Sequence, residues 1–375
     1  MKKKLCYVIS DVDTGLVMDA NIRFLDRDKY DLTTIFLNAS EPGLYKSLSS
    51  DGFDVRYVYC GGKKNVPPLI ASLYRLFGEL KPRIVHTHLF FAAIAGLTAA
   101  RLRKIETRIN TRHHSTEAHV YHPHAVWYDR YVNTLSTHTV AITDSVKRIL
   151  VEEECIPADR VTVVHHGFDM RLFEAARMNG DLKEKYGLSG HSPIIGVISR
   201  FIHWKGLQYV IPAFRQLLNK FPNAKLVLAN AEGSYEPEVR KLLKEIEPEH
   251  YRLIPFETDV LALYKSFDVL VHAPIGPNDE AFGQVYVEAL AMGIPSVFTL
   301  SGVARDFVRD RQNALVVPFQ DAKAISAAIE EILEHKDLAL SLGEQGRESV
   351  IEKFSIQSMV ASLDAVYSSA VNGHA

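Results

Sequence analysis

The chain has 375 residues, and its 43 basic and 45 acidic side chains leave a formal net charge of -2. This balance excludes bulk electrostatic binding of nucleic acid. One local basic strip is possible, formed by Arg101, Arg103, Lys104, Arg108 and Arg112. Most such strips are solvated surface. The length exceeds what a single hydrophobic core usually organises, so we expect two domains of roughly 150 to 200 residues each.

Cysteine usage and apolar runs bear on where the protein works. Cys6, Cys60 and Cys155 are odd in number and widely spaced, which favours reduced thiols over a disulfide framework or a zinc site. The basic start Met1–Lys4 resembles a signal peptide, but the apolar run Leu5–Ile9 is too short, and no stretch reaches transmembrane length. We therefore expect a cytoplasmic protein, with peripheral contact at the inner face of the membrane left open.

Short apolar, β-branched runs recur along the chain, and each is followed by a helical pattern. In the first half they predict strands at 5–10, 33–37, 55–59, 84–87, 109–111 and 140–143. The series pauses in a polar stretch at 173–193, then predicts strands at 193–199, 225–229, 252–255, 269–272, 296–299 and 315–317. This alternation is typical of parallel sheets wrapped by helices. We predict two doubly wound α/β domains that bind ligands outside the carboxyl ends of their strands.

A last helical pattern runs from Phe354 to Tyr367, with apolar residues at spacings of three and four. Periodicity alone does not decide whether this helix packs on the second domain or crosses back to the first.

Glu288 stands where an apolar helix is expected to carry no carboxylate. The helix is predicted over about 283–292, closed by Gly293 and Pro295, and its residues three and four positions from Glu288 are apolar. Burying an ionised carboxylate without a partner costs several kcal/mol. Glu288 is therefore predicted either to pair with an internal Arg or Lys, or to await a ligand with hydroxyl donors.

Two loops that follow predicted strands carry groups suited to phosphate. Arg200 and Lys205, with the amino end of a helix starting near Leu207, would offer a pyrophosphate two positive charges and free backbone N–H groups. By itself such a loop is more often solvated surface. The loop 272–283 leads into the Glu288 helix and provides a second helix start. A phosphate pocket with a carboxylate beneath it fits a nucleoside diphosphate and its ribose.

At this point the residues resemble a known family. Glu280 and Glu288, eight positions apart within 278–295, resemble the E-x7-E segment of the retaining family-4 glycosyltransferases, which have the GT-B fold. Ser199-Arg-Phe with Lys205-Gly206 is similar to that family's donor-phosphate loop. Further similar segments lie at 84–88, 143–145, 163–173 and 305–317, so the resemblance extends over nearly the whole chain.

The resemblance implies an α/β protein with the GT-B fold, in which two Rossmann-like domains face an interdomain cleft. It places an acceptor-side domain at 1–175, a nucleotide-sugar donor domain at 190–352 and a C-terminal helix at 353–375 that crosses back to the first domain. The implied activity is transfer of a hexosyl or N-acetylhexosaminyl group from a UDP or GDP donor, with retention of anomeric configuration. The implied acceptor is a sugar, glycolipid or glycan in polysaccharide or glycoconjugate assembly. No cofactor, metal or nucleic acid is implied.

The resemblance also implies roles for individual residues. Glu288 would accept hydrogen bonds from the ribose, and Glu280 would hold hydroxyls of the transferred sugar. Arg200 and Lys205 would neutralise the diphosphate leaving group, whose charge grows as the glycosidic bond breaks. The donor site would also include Gly15, Ala281, Phe282 and Gly283. Without the motif around it, Glu280 would be interpreted as a surface loop acid.

His113 ends a predicted strand and resembles the place where the family puts a histidine near the reacting sugar. We assign it to positioning rather than to general-base catalysis. Ten of the sixteen histidines lie between His86 and His166. Five of them form a cluster that could suggest a metal site: His113, His114, His119, His122 and His124. Their spacing fits no standard zinc signature, and the nearby carboxylate is Glu117. We interpret the cluster as a polar wall for an anionic or sugar-rich acceptor.

The chain also departs from the family pattern. Gly15 is a single glycine where the family often has a pair, and Asn230-Ala-Glu-Gly233 and Phe256-Glu257 differ from the segments that usually border the base. Arg305-Asp306 replaces a common Pro-Glu. Two other functions stay open, a GT-B sugar-nucleotide epimerase and a catalytically silent nucleotide-sugar binding partner. The presence of both glutamates and both cations favours transfer.

Overall fold

The computed structural model describes residues 2–116, 120 and 125–372. These residues form two compact units. The first unit comprises Met1–Phe168 together with Phe354–Ala375, and the second comprises Asp169–Lys353.

A seven-stranded sheet organises the first unit, and all its neighbouring strands run parallel. The spatial order is β3-β2-β1-β4-β5-β6-β7, which reverses direction at β1 as a doubly wound sheet does. The strands are β1 Lys3–Ser10, β2 Tyr30–Asn38, β3 Val55–Tyr59, β4 Ile84–His88, β5 Thr107–Arg112, β6 His138–Ala141 and β7 Val161–Val163.

Helices connect these strands, and their apolar faces pack on the sheet. In α3, Leu69, Leu73 and Phe77 recur every four residues and are buried, which is the spacing of one helix face. The helices before the unit boundary are α1 Leu16–Arg23, α2 Gly43–Ser50, α3 Val66–Leu80, α4 Phe90–Leu102, α5 Val126–Leu135 and α6 Asp144–Arg148.

The second unit repeats the architecture around a six-stranded parallel sheet in the order β10-β9-β8-β11-β12-β13. Its strands are β8 Ile194–Ile198, β9 Lys225–Ala229, β10 Tyr251–Ile254, β11 Val269–His272, β12 Ser296–Phe298 and β13 Leu315–Val316. Its helices are α7 Met170–Met178, α8 Leu207–Leu217, α9 Glu236–Leu243, α10 Val260–Tyr264, α11 Gln284–Ala291, α12 Ala304–Phe307, α13 Ala322–Glu334 and α14 Lys336–Lys353.

The last helix, α15 Ile356–Asn372, belongs to the first unit. Phe168 and Phe354 join at the unit boundary, where the Phe168 amide donates to the Phe354 carbonyl at 2.8 Å. Met359, Leu363 and Tyr367 of α15 are buried in the same apolar cluster as the first strand. The phenol oxygens of Tyr367 and Tyr7 lie 2.7 Å apart, so the helix is tied to the sheet by a buried polar contact as well.

The predicted alternation of strands and helices is confirmed in both halves, and the strands lie within about three residues of their predicted ends. The exception is β7, which was not predicted. Within the described ranges, no helix combines the length and the apolar character needed to cross a membrane.

Candidate functional site

Lys205 lies at the carboxyl edge of the second sheet. It closes a short 3-10 turn, His203–Lys205, and Gly206 follows in the left-handed region at φ 77 to begin α8. A side chain at Gly206 would collide with the carbonyl oxygen of Ala273 in the loop after β11. The two loops are also joined by a hydrogen bond from the Ile275 amide to the Trp204 carbonyl, 3.0 Å long. Glycine is therefore required where the two strand-end loops pack together.

The loop after β11 carries Glu280, which is only 7% exposed. Its Oε1 lies 2.5 Å from Lys205 Nζ and 3.0 Å from His272 Nε2. Its backbone amide donates to the hydroxyl of Ser301 at 3.1 Å. Glu280 is therefore no surface acid, because the fold buries it between a cation and a histidine.

The charges of this cluster are set by burial and by the ion pair. Burial alone would raise the pKa of Glu280, but the Lys205 charge and the His272 hydrogen bond outweigh it and bring the pKa to about 2. Burial lowers the pKa of His272, against the pull of Glu280. At neutral pH the cluster therefore holds an ionised carboxylate, a lysine ammonium and a neutral imidazole.

Glu288 lies in the middle of α11 and is 8% exposed, as the apolar pattern around it predicts. The Tyr264 hydroxyl donates to Glu288 Oε2 at 2.8 Å, and no Arg or Lys pairs with this carboxylate within the described part of the chain. Burial raises the pKa of Glu288, while the hydrogen bond from Tyr264 opposes that rise. One oxygen of Glu288 is therefore already hydrogen-bonded to the hydroxyl of Tyr264. This partner is neither the Arg or Lys nor the ligand that was predicted from sequence.

The amino end of α11 is the second helix start predicted to receive an anion. Gly283 caps it in the left-handed region at φ 85, and Phe282 is buried beneath it while Ala281 is partly exposed. The Val303 amide donates to the Phe282 carbonyl at 2.9 Å, which fixes the turn. A helix start of this kind directs backbone N–H groups and a positive partial charge outward.

Two other predicted donor residues have no contact that supports the role assigned to them among the described residues. Arg200 follows β8 and is exposed. Gly15 precedes α1 in the first unit with an extended backbone, φ 175, and the nearest atom to a side chain there would be 3.9 Å away. Neither backbone strain nor crowding requires glycine at position 15, and its donor contact stays a prediction.

His113 directly follows β5 in the first unit and joins a histidine cluster that the sequence did not single out. Its Nε2 lies 3.2 Å from His88 Nδ1, and its ring stacks on that of His166 with centroids 5.5 Å apart. Burial, with a smaller contribution from His114, lowers the pKa of His113 to about 3. The ring is therefore neutral at neutral pH.

The histidine neighbours of His113 have other partners. His114 Nε2 lies 3.1 Å from Asp129 Oδ2, so it turns away from His88. No group of three ligand side chains within 2–116, 120 and 125–372 could hold a metal ion. His119, His122, His124 and Glu117 of the predicted polar wall lie outside the described residues.

The basic strip predicted at 101–112 is not one surface, and that prediction is wrong for two members. Arg108 is buried and donates to the carbonyl of Leu135 at 2.7 Å. Arg112 is buried in a paired contact with Glu154, with both N–O distances 2.8 Å. These two arginines satisfy buried acceptors and cannot contact a polyanion.

Two families and several known proteins are similar to this chain. The family described as Glycosyl transferases group 1 matches residues 179–349, and the family described as Glycosyltransferase Family 4 matches residues 17–172. The capsular polysaccharide biosynthesis glycosyltransferase CapM of Staphylococcus aureus is 28% identical over 305 residues, covering 80% of each chain. The N-acetyl-alpha-D-glucosaminyl L-malate synthase of Bacillus anthracis is 26% identical over 313 residues, covering 80% of this chain and 79% of the relative.

Among solved structures, Anabaena HepE in complex with UDP superposes with a TM-score of 0.81 at 17% identity, covering 98% of this chain and 100% of that one. A glycosyltransferase of Rickettsia africae superposes with a TM-score of 0.80 at 20% identity, covering 99% of each. The chain is a glycosyltransferase with the GT-B fold. The GT-B fold predicted from sequence is thereby confirmed.

In this glycosyltransferase the group 1 match lies entirely within the second unit, which holds Lys205, Glu280 and Glu288. Sequence reasoning missed His272, Tyr264 and Ser301, which orient the two glutamates. Of these three, only His272 could have been found from the sequence, because it ends an apolar strand next to the loop that carries Glu280. Tyr264 and Ser301 come from distant segments and gave none.

Proposed function

We propose that this glycosyltransferase moves a hexosyl or N-acetylhexosaminyl group from a nucleotide-diphosphate donor to an acceptor hydroxyl with retention of anomeric configuration. The observation that carries the proposal is the buried cluster at the carboxyl edge of the second sheet. There Lys205 and Glu280 lie 2.5 Å apart, at the loop that leads into the Glu288 helix. Adjacent elements thus carry Lys205, Glu280 and Glu288, to which we assign the diphosphate, the transferred sugar and the ribose.

The proposed roles follow from the chemistry of each group. The ammonium of Lys205 and the exposed guanidinium of Arg200 suit the diphosphate, with the start of α11 as a further donor. Glu280, ionised at neutral pH, accepts hydrogen bonds from hydroxyls of the transferred sugar. Glu288 accepts from the ribose while Tyr264 holds its other oxygen in place. In the first unit, neutral His113 positions a sugar hydroxyl.

The names of relatives support a sugar-nucleotide donor and a glycan or lipid-linked acceptor. One, from Escherichia coli, is a UDP-Gal:alpha-D-GlcNAc-diphosphoundecaprenol alpha-1,3-galactosyltransferase. Another, from Mycobacterium tuberculosis, is a GDP-mannose-dependent mannosyltransferase of phosphatidylinositol monomannoside. We propose UDP or GDP as the nucleotide, and polysaccharide, glycolipid or glycoconjugate assembly as the setting, with no cofactor beyond the donor substrate.

The proposal is tested with a panel of UDP-, GDP- and ADP-sugars, in which donor binding is followed by calorimetry and nucleotide release by a coupled assay. One donor is expected to bind and, with a sugar or lipid-linked acceptor, to yield a glycoside. Release of nucleotide with an epimerised free sugar and no glycoside would instead support the epimerase. Donor binding without any turnover would support the silent binding partner.

The role of Glu288 gives a sharper expectation for the donor. Glu288→Gln should weaken nucleotide binding about tenfold to hundredfold, because hydrogen bonds to a charged group contribute about 1.5 to 3 kcal/mol. The matched ligand is the 2′,3′-dideoxy nucleoside diphosphate, which should bind wild type and Glu288→Gln alike. If the variant discriminates against the dideoxy ligand as strongly as wild type does, Glu288 does not contact the ribose.

Peripheral membrane contact and a cytoplasmic location stay predictions. With Arg108 and Arg112 buried, the exposed cations left in the strip are Arg101 and Lys104, since Arg103 lies over the ring of Tyr74 at 3.6 Å. Sedimentation with vesicles containing anionic lipid, compared for wild type and Arg101→Glu/Lys104→Glu, measures the contact. We expect weak binding that the variant loses, and wild type remaining in the supernatant would contradict it.

A further inference from the structure

His272 ends β11 inside the site, and the E-x7-E resemblance gives it no role. Its side chain is buried, and its Nε2 lies 3.0 Å from Glu280 Oε1. An ionised carboxylate only accepts hydrogen bonds, so the imidazole must donate through Nε2–H. The contact therefore sets the tautomer of the histidine.

The ring of His272 is held in one orientation. It packs edge-on against Tyr286 with centroids 4.7 Å apart and an interplanar angle of 82°. The Tyr286 ring is itself fixed, because its hydroxyl donates to the Thr299 carbonyl at 3.0 Å and its ring packs against Phe298 at 4.8 Å. With Nε2 protonated on a neutral ring, Nδ1 keeps its lone pair, and this buried atom has no hydrogen-bond partner within the described part of the chain.

Lys205 and His272 both contact the same oxygen of Glu280, Oε1. Lys205 ends a flexible four-carbon side chain that is 17% exposed, so it can turn to a diphosphate. His272 is buried at the end of a strand and packed against Tyr286, so it cannot follow. Once a diphosphate engages Lys205, His272 is the donor that stays on Glu280.

We propose that His272 is a positioning residue for Glu280, which holds Oε1 in place so that Oε2 receives a hydroxyl of the transferred sugar while Lys205 serves the diphosphate. This inference rests on the proposed function and deepens it. It assigns Oε1 of Glu280 to a hydrogen bond with His272 and Oε2 to a hydrogen bond with the substrate. The charged and titratable groups around the pair are Lys205 from the loop after β8, Asp279 beside Glu280, and Tyr286 from α11. His203 acts on Asp279 rather than on the pair itself.

Two substitutions separate the hydrogen bond from the shape of the ring. His272→Phe keeps a ring on Tyr286 but removes the donor. His272→Gln keeps a hydrogen-bond donor, because its side-chain amide N–H lies near the position of Nε2. Each is measured for kcat and KM across pH with the donor found in the panel, and for calorimetric affinity toward both the complete sugar nucleotide and the free nucleoside diphosphate.

His272→Phe is expected to lower kcat/KM about tenfold to hundredfold, the loss expected for one hydrogen bond to a charged group. Affinity for the free nucleoside diphosphate should stay at the wild-type value, since Glu280 contacts only the sugar. The acid limb of the kcat/KM profile should move to higher pH, because Glu280 loses a donor that favours its ionised form. His272→Gln should recover most of the rate and the wild-type acid limb.

Three results would overturn the inference. The first is a wild-type rate and acid limb in His272→Phe. The second is a loss of free-nucleotide affinity in His272→Phe in proportion to its loss of rate. The third is an impairment of His272→Gln equal to that of His272→Phe. Each would leave the transferase activity of wild type standing. A wild type that transfers no sugar from any donor would instead remove the proposed function, and this inference with it.

Discussion

Replacing Lys205 by methionine is expected to lower the rate of sugar transfer by about 10² to 10³, the usual effect of removing one preorganised group that stabilises developing charge. The leaving diphosphate gains negative charge as the glycosidic bond breaks, so an ammonium at this position stabilises the transition state more than the bound donor. The loss should therefore fall on kcat as well as on KM. Initial rates with saturating acceptor measure it.

The same substitution should also destabilise the protein, which complicates a simple comparison of rates. Lys205→Met leaves Glu280 buried with His272 as its remaining donor, and removing one partner of a buried ion pair costs about 3 to 5 kcal/mol. Lys205→Met/Glu280→Gln removes the uncompensated charge, so it should recover stability without recovering the rate. The matched control is Lys323→Met, because Lys323 is an exposed lysine on α13.

These variants distinguish a catalytic cation from a structural one. If Lys205→Met/Glu280→Gln regains both stability and rate, then Lys205 serves only to compensate Glu280. If Lys205→Met transfers sugar at the rate of Lys323→Met, the diphosphate is neutralised elsewhere, with Arg200 as the first candidate.

A second large effect is expected on stability in mild acid. Burial lowers the pKa of His86 and His113 to about 3, and it lowers the pKa of His88 and His166 well below their ordinary value, with neighbouring histidine charges adding to each shift. These groups stay neutral in the folded protein but take up protons in the unfolded chain below about pH 6.5. The free energy of unfolding should therefore fall as pH falls below 6.5, by up to about 1.4 kcal/mol per pH unit for each histidine.

The pH window separates the histidines from Glu280. Glu280, whose pKa is lowered to about 2, contributes stability that is complete above the unfolded-state value of about 4.3 and is lost below it. Between about pH 6.5 and 5 the slope thus reports mainly the buried histidines, and Glu288 opposes it, because its raised pKa makes its burial less costly as pH falls. Urea unfolding followed by circular dichroism at several pH values in this window measures it.

One substitution assigns part of this slope to the cluster. His88→Gln keeps an amide near His113 that cannot be protonated in this range. The fall of its unfolding free energy with pH should therefore be shallower than that of wild type, by up to about 1.4 kcal/mol per pH unit. His335 is exposed at the end of α13, and His335→Gln should leave the slope unchanged. Equal slopes for wild type and His88→Gln would mean that His88 takes up its proton in the folded protein too.

The fold was predictable because its signals are local. The runs at 55–59, 225–229 and 269–272 became strands with the bounds that were predicted. The last two are buried along their whole length, as strands inside a parallel sheet are, whereas the first is a partly exposed edge strand. Gly293, at φ 75, ends α11 as expected of a helix-terminating glycine. The three-residue β7 was missed, although the equally short β12 was predicted.

The candidate site was predictable only in part. The sequence by itself determined that Glu288 is buried, because its helical neighbours are apolar, and that Lys205 and Glu280 follow strands of one sheet, whose carboxyl ends share an edge. Only the tertiary structure decided that both Lys205 and His272 contact Glu280, that Tyr264 rather than an Arg or Lys serves Glu288, and that Arg108 and Arg112 are internal. The physical reason is that the spacing of apolar residues along a helix or strand determines which of its side chains are buried. The partner of a buried polar group instead comes from a distant segment, which the packing of the sheet brings within hydrogen-bond distance.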